Sequence, residues 1–398
     1  MKDLNVLRKL YLIFSLFASS LVWADDLPDY LSDYKNLIFD YQGIKNDIET
    51  QKLHDSWISP VTVSYSKNWT SQYQKGTVAQ SIFSVGIDQP IFKSGGIYYG
   101  IKYSQVLKGA NSQQIKIQKK ALIAQAIDTL FNLKKLKLQK RKLLLLIKND
   151  NIDIKRKKQN YEAGLLDSSF LDQAILKQNR DKLSLLDIES NIEKLKGAFR
   201  MLSSRNPDKL RTPHLKMISL GKYKSKNMDI LLKKLKSKES RYKNKMVWSR
   251  YLPTVTLHAR YNMTDIAAPG QKKNYGTYGF TVSMPLNVNM SKDLESSRVS
   301  YLQSMVELQD SRRSAEIEYK MVRENLYILN KKIALTRKNE TLYRKLYNKT
   351  KDSVKVGQKT AQDEQIMLNS LKIQRVDRAI YYIEKQQQLL KLYTKVSS

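Results

Sequence analysis

Two stretches of alternating sequence decide the fold, FSVGIDQPIF at residues 83–92 and FTVSMPL at residues 280–286. Apolar and polar side chains alternate in both, which is typical of a β-strand with one apolar and one wet side. A proline lies near the end of each stretch, and a long segment without proline follows. The same features therefore occur twice, about 195 residues apart, and such a repeat indicates a quasi-symmetric architecture.

A very long helix is predicted after each of these strands. No proline occurs between Gly95 and about Asn160, or between Ser291 and about Lys355. At 1.5 Å per residue such helices span roughly 100 Å. A lone helix of that length must lie against others to be stable. The spacing of a coiled-coil seam is followed in the second segment by Val322, Leu326, Leu329 and Ile333.

Each long helix is expected to turn back at a glycine. Gly164 follows Pro90 by 74 residues and Gly357 follows Pro285 by 72, so the two copies agree in length as well as in order. Glycine supplies the left-handed backbone that such a turn requires. Each copy should therefore end in an antiparallel helical hairpin. The returning helices are predicted at residues 169–202 and 362–395.

Four β-strands are predicted in two hairpins. The first pair alternates from Val61 and from Phe83, around a polar loop at 68–77, and the second pair alternates over 254–263 and 278–288. The second loop contains Pro269-Gly270, a strong turn signal. Strands of about ten residues with one apolar face are typical of outer-membrane barrels. Four strands cannot enclose a channel, so either several chains contribute or the strands form soluble hairpins.

The N-terminal 24 residues have the pattern of a secretory signal peptide. A basic start at Lys2, Arg8 and Lys9 precedes a short apolar core, and Val22-Trp23-Ala24 resembles a cleavage site. The core is shorter than the roughly 20 residues that a membrane span needs, and no later stretch is long enough either. We therefore expect an exported mature chain that begins at Asp25.

Composition limits the possible chemistry. The chain has no cysteine, which excludes disulfides and thiolate metal sites. Its formal charge is +34, spread over every long helix, so the lysines are either solvated helix faces or a functional basic lumen. No nucleic-acid-binding motif accompanies that charge. The three histidines, at positions 54, 214 and 258, lack metal-ligand spacing. We expect neither an enzyme nor a bound cofactor.

These features together divide the chain into a leader, a helical segment, two repeats and a linker. The predicted boundaries are 1–24 for the signal peptide, 25–56 for the N-terminal segment, 57–202 for the first repeat (strand pair 57–92, hairpin 95–202), 203–225 for the linker, and 226–396 for the second repeat (helix 227–248, strand pair 251–289, hairpin 291–395).

Taken together, the sequence resembles the TolC-type outer-membrane efflux family. The local pieces that carry the resemblance are QPIF at 89–92 with Gly95-Gly96, RYLP at 250–253 and the two glycine turns. The resemblance implies a mainly α fold with β, in which long antiparallel helical hairpins form an α-barrel tunnel. Four strands per chain would contribute to a trimeric twelve-stranded β-barrel in the outer membrane.

The resemblance also implies the partners and the role. A homotrimer embedded in outer-membrane lipid would extend into the periplasm. It would passively conduct substrates from an inner-membrane transporter and a periplasmic adaptor (membrane fusion) protein, in a tripartite efflux or type I secretion system. Nucleic acid is not an expected partner. Two alternatives remain from the residues alone, a secreted coiled-coil adhesin or structural protein, and a periplasmic adaptor subunit.

The family's functional positions fall at the two turns. The adaptor-docking tips correspond to Ala163, Gly164 and Asp167 in the first turn, and to Val356, Gly357 and Thr360 in the second. Asp167 stands where the family carries a hydroxyl.

The family's entrance constriction falls just beyond the second turn. Asp363 matches a carboxylate ring of the closed entrance, Ile366 is an apolar departure at the second ring position, and Lys359 falls at a basic constriction position. Three carboxylates around one axis would attract cations. Asp363 also fits a simple helix N-terminal acid, and both interpretations stay open here.

Overall fold

The structure is a computed structural model that describes residues 30–73, 76–265 and 272–397. The predicted signal peptide and the Pro269-Gly270 turn lie outside these residues. In the described part, no helix combines the length and the apolar character needed to cross a membrane.

Strands and helices alternate in the order that the repeat predicts. The four strands are β1 (Thr62–Tyr73), β2 (Gly76–Phe92), β3 (Thr254–Thr264) and β4 (Asn274–Ser283). The helices are α1 (Asp33–His54), α2 (Gly96–Glu162), α3 (Ser168–Arg200), α4 (Leu220–Ser225), α5 (Met228–Ser249), α6 (Met290–Lys355) and α7 (Ala361–Lys395). The short helix α4 lies inside the segment expected to be a linker. With helices of 67 and 66 residues, the mainly α fold with four strands is confirmed.

The strands form one antiparallel sheet in the order β1-β2-β3-β4. The central pair joins the two repeats, because Gly86 of β2 lies opposite Arg260 of β3 and Asp88 lies opposite His258. β1 and β4 are the two edges. One chain thus supplies a single four-stranded sheet with two open edges, and the twelve-stranded barrel stays a prediction.

Two strand boundaries differ from the sequence prediction. The segment expected to be a polar loop is mostly strand, since Asn68 pairs with Gln80 and Thr70 with Val78. A wet strand face and a loop have the same composition, which explains that error. At the other end, β4 stops at Ser283 and does not reach Val288. Pro285 has no N–H to donate to the ladder, so the strand ends before it.

The helices belong to two compact units. Of the described residues, the first unit comprises 30–38, 119–223 and 319–397. In it, α3 contacts α2 through Lys140 and Glu189, whose Nζ and Oε1 are 2.8 Å apart. The amides of Asn149 and Asn369, 2.8 Å apart, connect α2 to α7. The ion pair of Arg378 with Glu340 connects α7 to α6. The helices therefore lie side by side, antiparallel, in the order α3-α2-α7-α6.

The second unit comprises residues 39–118 and 224–318, including the sheet. Asn46 of α1 donates to the Lys108 carbonyl of α2 at 3.1 Å, and Gln113 of α2 donates to the Met228 carbonyl of α5 at 3.3 Å. Lys233 of α5 and Glu307 of α6 form an ion pair. The helix order here is α1-α2-α5-α6.

Apolar residues close the seams between neighbouring helices of the first unit. The predicted coiled-coil positions Val322, Leu326, Leu329 and Ile333 are all buried. Leu130, Phe131 and Leu133 of α2 are also buried, each with 2% or less of its surface exposed. Burial of such side chains is the main stabilising term in a chain that has no disulfide.

Truncation of Phe131 tests this core. Phe131→Ala should lower the free energy of unfolding by about 3–5 kcal/mol, because it removes a fully buried ring and leaves a cavity. Guanidinium titration of the purified protein in detergent measures the change. The matched control is Phe170→Ala, since Phe170 is half exposed. The control should cost less than about 1 kcal/mol, and equal losses in the two variants would contradict this account of the core.

Candidate entrance at the hairpin tips

The two hairpins end in the same turn geometry. Gly164 has φ +72° and Gly357 has φ +75°, the left-handed region that favours glycine. In the first turn the amide of Leu165 donates to the Asn160 carbonyl at 2.8 Å, and in the second Gln358 donates to Ser353 at 2.9 Å. These bonds satisfy carbonyls at the ends of α2 and α6 in a Schellman arrangement.

The returning helices are capped differently at the two tips. Asp167 caps α3 by accepting from the Ser169 amide at 2.8 Å. The hydrogen bond with the Ser169 side chain first, and the one from its amide in addition, lower the pKa of Asp167. Thr360 caps α7 in a reciprocal capping box with Asp363. The residues at the two predicted docking positions, Asp167 and Thr360, are therefore structurally equivalent N-caps.

The docking residues lie on the surface. All six are exposed, namely Ala163, Gly164, Asp167, Val356, Gly357 and Thr360. Leu165 lies beside them with 77% of its surface exposed, and no sequence pattern had marked it as a candidate. Both tips thus present small or apolar groups to solvent, while docking itself stays a prediction.

Asp363 has a partner on each carboxylate oxygen. Its Oδ2 accepts from the Thr360 amide at 3.1 Å and from the Thr360 hydroxyl at 2.8 Å. Its Oδ1 accepts from Arg156 Nη2 at 2.7 Å. The Thr360 bonds first, and Arg156 in addition, lower the pKa of Asp363. The side chain therefore caps its helix and also joins the two hairpins.

Arg156 is the functional candidate that sequence reasoning missed. It lies on α2, 207 residues from Asp363, so no local pattern connects them. The sequence contains one indirect indication that the two residues could meet, namely their similar distance from a tip. Arg156 precedes the first tip glycine by eight residues, and Asp363 follows the second by six. The other two constriction candidates make no comparable contact with Asp363 among the described residues. Lys359 is exposed, Ile366 is half-buried, and the described residues show no ion pair between Lys359 and Asp363.

Buried polar groups lie close to the tips. Asn369 is 1% exposed, donates to Asn149 and accepts from Gln365 at 3.0 Å. Asp150 forms an ion pair with Lys177 of α3; burial raises the pKa of Asp150, and the hydrogen bond to Asp150 raises that of Lys177. Such paired groups fix the register of the hairpins, because shifting the helices would leave them buried without partners. No group of three or more His, Asp or Glu in the described ranges is placed to hold a metal.

The repeated elements, the shared sheet and the paired tips define the fold of an outer-membrane channel. Similar solved structures include VceC from Vibrio cholerae (14% identity, TM-score 0.74, 92% of this chain and 93% of that chain covered). The Campylobacter jejuni CmeC channel is similar too (13% identity, TM-score 0.75, 94% of this chain and 90% of that chain covered). The open state of the Neisseria gonorrhoeae MtrE channel is also similar (11% identity, TM-score 0.70, 93% of this chain and 87% of that chain covered).

At these identities the likeness establishes the fold. This chain has the TolC-type fold, as its sequence predicted. No family model matches the chain, and no curated protein matches it in sequence.

The tip glycines provide a direct test of the turn geometry. Gly164→Ala and Gly357→Ala should each lower the free energy of unfolding by about 1–2 kcal/mol, because a Cβ is strained in left-handed backbone. Gly197→Ala is the matched control. Gly197 lies inside α3 without positive φ and with open space around it, so alanine should stabilise by about 0.5–1 kcal/mol. Thermal unfolding of the three variants measures both signs, and a neutral result at both tips would contradict the assignment.

Proposed function

We propose that three copies of this chain form a passive channel-tunnel of the bacterial outer membrane. It receives substrates from an inner-membrane transporter through a periplasmic adaptor, in a tripartite efflux or type I secretion system. The four-stranded sheets join into a lipid-embedded barrel, and the helical hairpins form a tunnel in the periplasm. The observation that carries the proposal is that each unit of the chain has two apolar edges without a partner.

In the first unit these edges are α3 and α6. On α3, Leu176, Leu183 and Leu186 are each at least 60% exposed. On α6, a second apolar seam recurs at strict heptad spacing, and all of its members are at least half exposed. That seam comprises Met321, Ile328, Leu335 and Leu342. Within the described residues neither set faces another helix, because the contacts of α3 go to α2 and those of α6 go to α7.

The second unit repeats the arrangement with α1 in place of α3. Exposed apolar residues recur every three or four positions along α1 and along this part of α6. These residues are Tyr41, Ile44 and Ile48 on α1, and Val299, Leu302 and Val306 on α6. The sheet of this unit also ends in two open edges, β1 and β4.

Two different edges imply a head-to-tail interface. When an edge of one type meets the other type on the next copy, the contact repeats by rotation and closes into a ring. Closure would bury the apolar seams and pair the backbone groups of β1 and β4, which are otherwise sites of uncontrolled strand addition. A ring of copies is therefore the arrangement that satisfies helices and strands together.

The two faces of the sheet suit a membrane wall. Val63, Trp69, Tyr278 and Phe280 lie on one face, and all are more than 60% exposed. Ser64, Ser84 and Asn262 lie on the other face, where Ser64 and Ser84 are hydrogen-bonded at 2.8 Å. Apolar residues toward lipid and polar residues toward the lumen are the pattern of outer-membrane strands.

The tips form the periplasmic entrance in this proposal. Ala163, Gly164, Asp167, Val356, Gly357 and Thr360 present the docking surface for the adaptor. One Asp363 per chain contributes to a ring around the axis, with Lys359 and Ile366 near it. The ion pair of Asp363 with Arg156 holds the second hairpin against the first, so the same carboxylate narrows the entrance and keeps it closed.

Cysteine cross-linking tests the ring, and the chain offers a background without cysteine. The contacts between α3 and α2, between α2 and α7 and between α7 and α6 place Leu183 and Leu342 at the same level along the helix axes. The double variant Leu183→Cys with Leu342→Cys should give covalent dimers and trimers on oxidation in isolated outer membranes. Products larger than trimers should not form. Non-reducing electrophoresis shows the products.

The control combines Leu183→Cys with Met321→Cys. Met321 is similarly exposed but lies 21 residues before Leu342 in α6, about 32 Å away. It should not cross-link. A protein that stays monomeric with both pairs, or that fractionates away from the outer membrane, would overturn the proposed function.

The entrance gate has its own test in planar bilayers. Asp363→Ala and Arg156→Ala should each raise the open probability, and the double variant should add little to the larger single effect, because the two residues form one interaction. Asp352→Ala is the control, since Asp352 pairs with Lys355 inside α6 at the same tip. Unchanged conductance in both single variants would remove this ion pair from the gate.

Acid should act like the Asp363 substitution. The pKa of Asp363 is lowered, so the charged form is stabilised in the closed tip. That stabilisation is present above the ordinary value of 3.8 and is lost as the pH falls through the lowered pKa. The open probability should therefore stay constant between pH 8 and pH 5 and rise only below about pH 4.

A further inference from the structure

A charged network crosses three strands on the polar face of the sheet. His258 of β3 has its Nδ1 at 2.8 Å from Asp88 Oδ1 on β2, and its Nε2 at 2.9 Å from Thr281 Oγ1 on β4. Asp88 and His258 are directly opposed in the strand register. Both side chains are partly exposed on this face.

Arg260 completes the network from the same strand. Its Nη2 lies 3.5 Å from Asp88 Oδ2. The position opposite Arg260 is Gly86, and a Cβ added there would lie 3.0 Å from the Arg260 Nε. The absence of a side chain at Gly86 therefore leaves room for the guanidinium to lie across the sheet toward Asp88.

No other charged side chain shares this face within the described strand residues. The polar positions of β1 carry Thr, Ser and Asn, and those of β4 carry Ser, Thr, Tyr and Gly. On β2 and β3 the charged or titratable members are Asp88, Arg260 and His258. The face thus has no net charge when His258 is neutral and one positive charge when it is protonated.

We propose that His258 is a titratable residue that determines the ion preference of the channel, a role that rests on the proposed function. Histidine is the side chain that ordinarily changes charge between pH 5 and 8. In a ring of three chains, protonation takes the polar wall at this level from neutral to three positive charges. Rings of charged side chains set which ions a pore admits, so acidification favours anions.

The network accepts the proton without rearrangement. In the neutral ring, Nδ1–H donates to the Asp88 carboxylate and Nε2 accepts from the Thr281 hydroxyl. In the protonated ring both nitrogens donate, and the Thr281 oxygen becomes an acceptor after its hydrogen rotates. The hydrogen-bonded partners are the same in both states. Protonation therefore changes the charge of the wall and leaves the strand pairing intact.

The carboxylate of the proposed entrance leaves this pH window clear. Asp363 stays charged between pH 5 and 8, since its pKa is lowered. The chain has two more histidines, His54 and His214. His54 is a close match for His258, because its Nδ1 lies 2.7 Å from Asp55 Oδ1. It lies at the end of α1 and not on the sheet, so it serves as the control.

The test measures reversal potential in planar bilayers under a KCl gradient, between pH 8 and pH 5. The wild-type channel should shift toward anion preference as the pH falls. His258→Gln should lose that shift while still forming channels, and His54→Gln should keep it. A wild-type channel without the shift, or a His258→Gln channel that retains it, overturns the proposal.

A second variant decides the matter if His258→Gln fails to assemble. Asp88→Asn removes one negative charge per chain from the polar face, so the channel should move toward anion preference at every pH. An unchanged ion preference in Asp88→Asn overturns the role of the network. Failure of the wild-type protein to conduct at any pH is a different result, since it overturns the proposed function and this inference with it.

Discussion

Every backbone N–H and C=O of a sheet needs a hydrogen-bond partner, and this chain provides both neighbours only for its two central strands. Among the described residues, β2 and β3 are paired on both sides, while β1 and β4 each have one side without a neighbouring strand. In lipid that condition is costly for every exposed backbone group. The rest of the architecture is consistent with a sheet that is finished by neighbouring copies.

The helices also have surfaces that need a neighbour, and here the surfaces are apolar side chains. A single row of helices has two ends, and in each unit the end helices carry apolar seams that would be unfavourable in water. α6 serves as an end helix in both units, whereas α3 and α1 share the opposite role. The long helix α6 therefore has two apolar seams with different roles. Its buried seam stabilises the chain, and its exposed seam suits assembly.

Much of this could be read from the sequence, and the failures have physical causes. The hairpin turns at Gly164 and Gly357 were predictable, because only glycine tolerates that backbone without strain. The seam at Val322 followed from its spacing. The pairing of Arg156 with Asp363 did not, since it depends on which faces of α2 and α7 meet across 207 residues. The network around His258 depends likewise on a strand register that joins the two repeats.

The pairing of β2 with β3 has a consequence for biogenesis. Asp88 and His258 are 170 residues apart, and α2 meets α7 at separations of more than 200 residues. Neither repeat can therefore complete its share of the structure before the other repeat has been synthesised. Contacts so distant along the chain make folding slow and leave apolar segments exposed to aggregation in the meantime. The hairpins of the two repeats can therefore pack against each other only after α7, the last helix, is available.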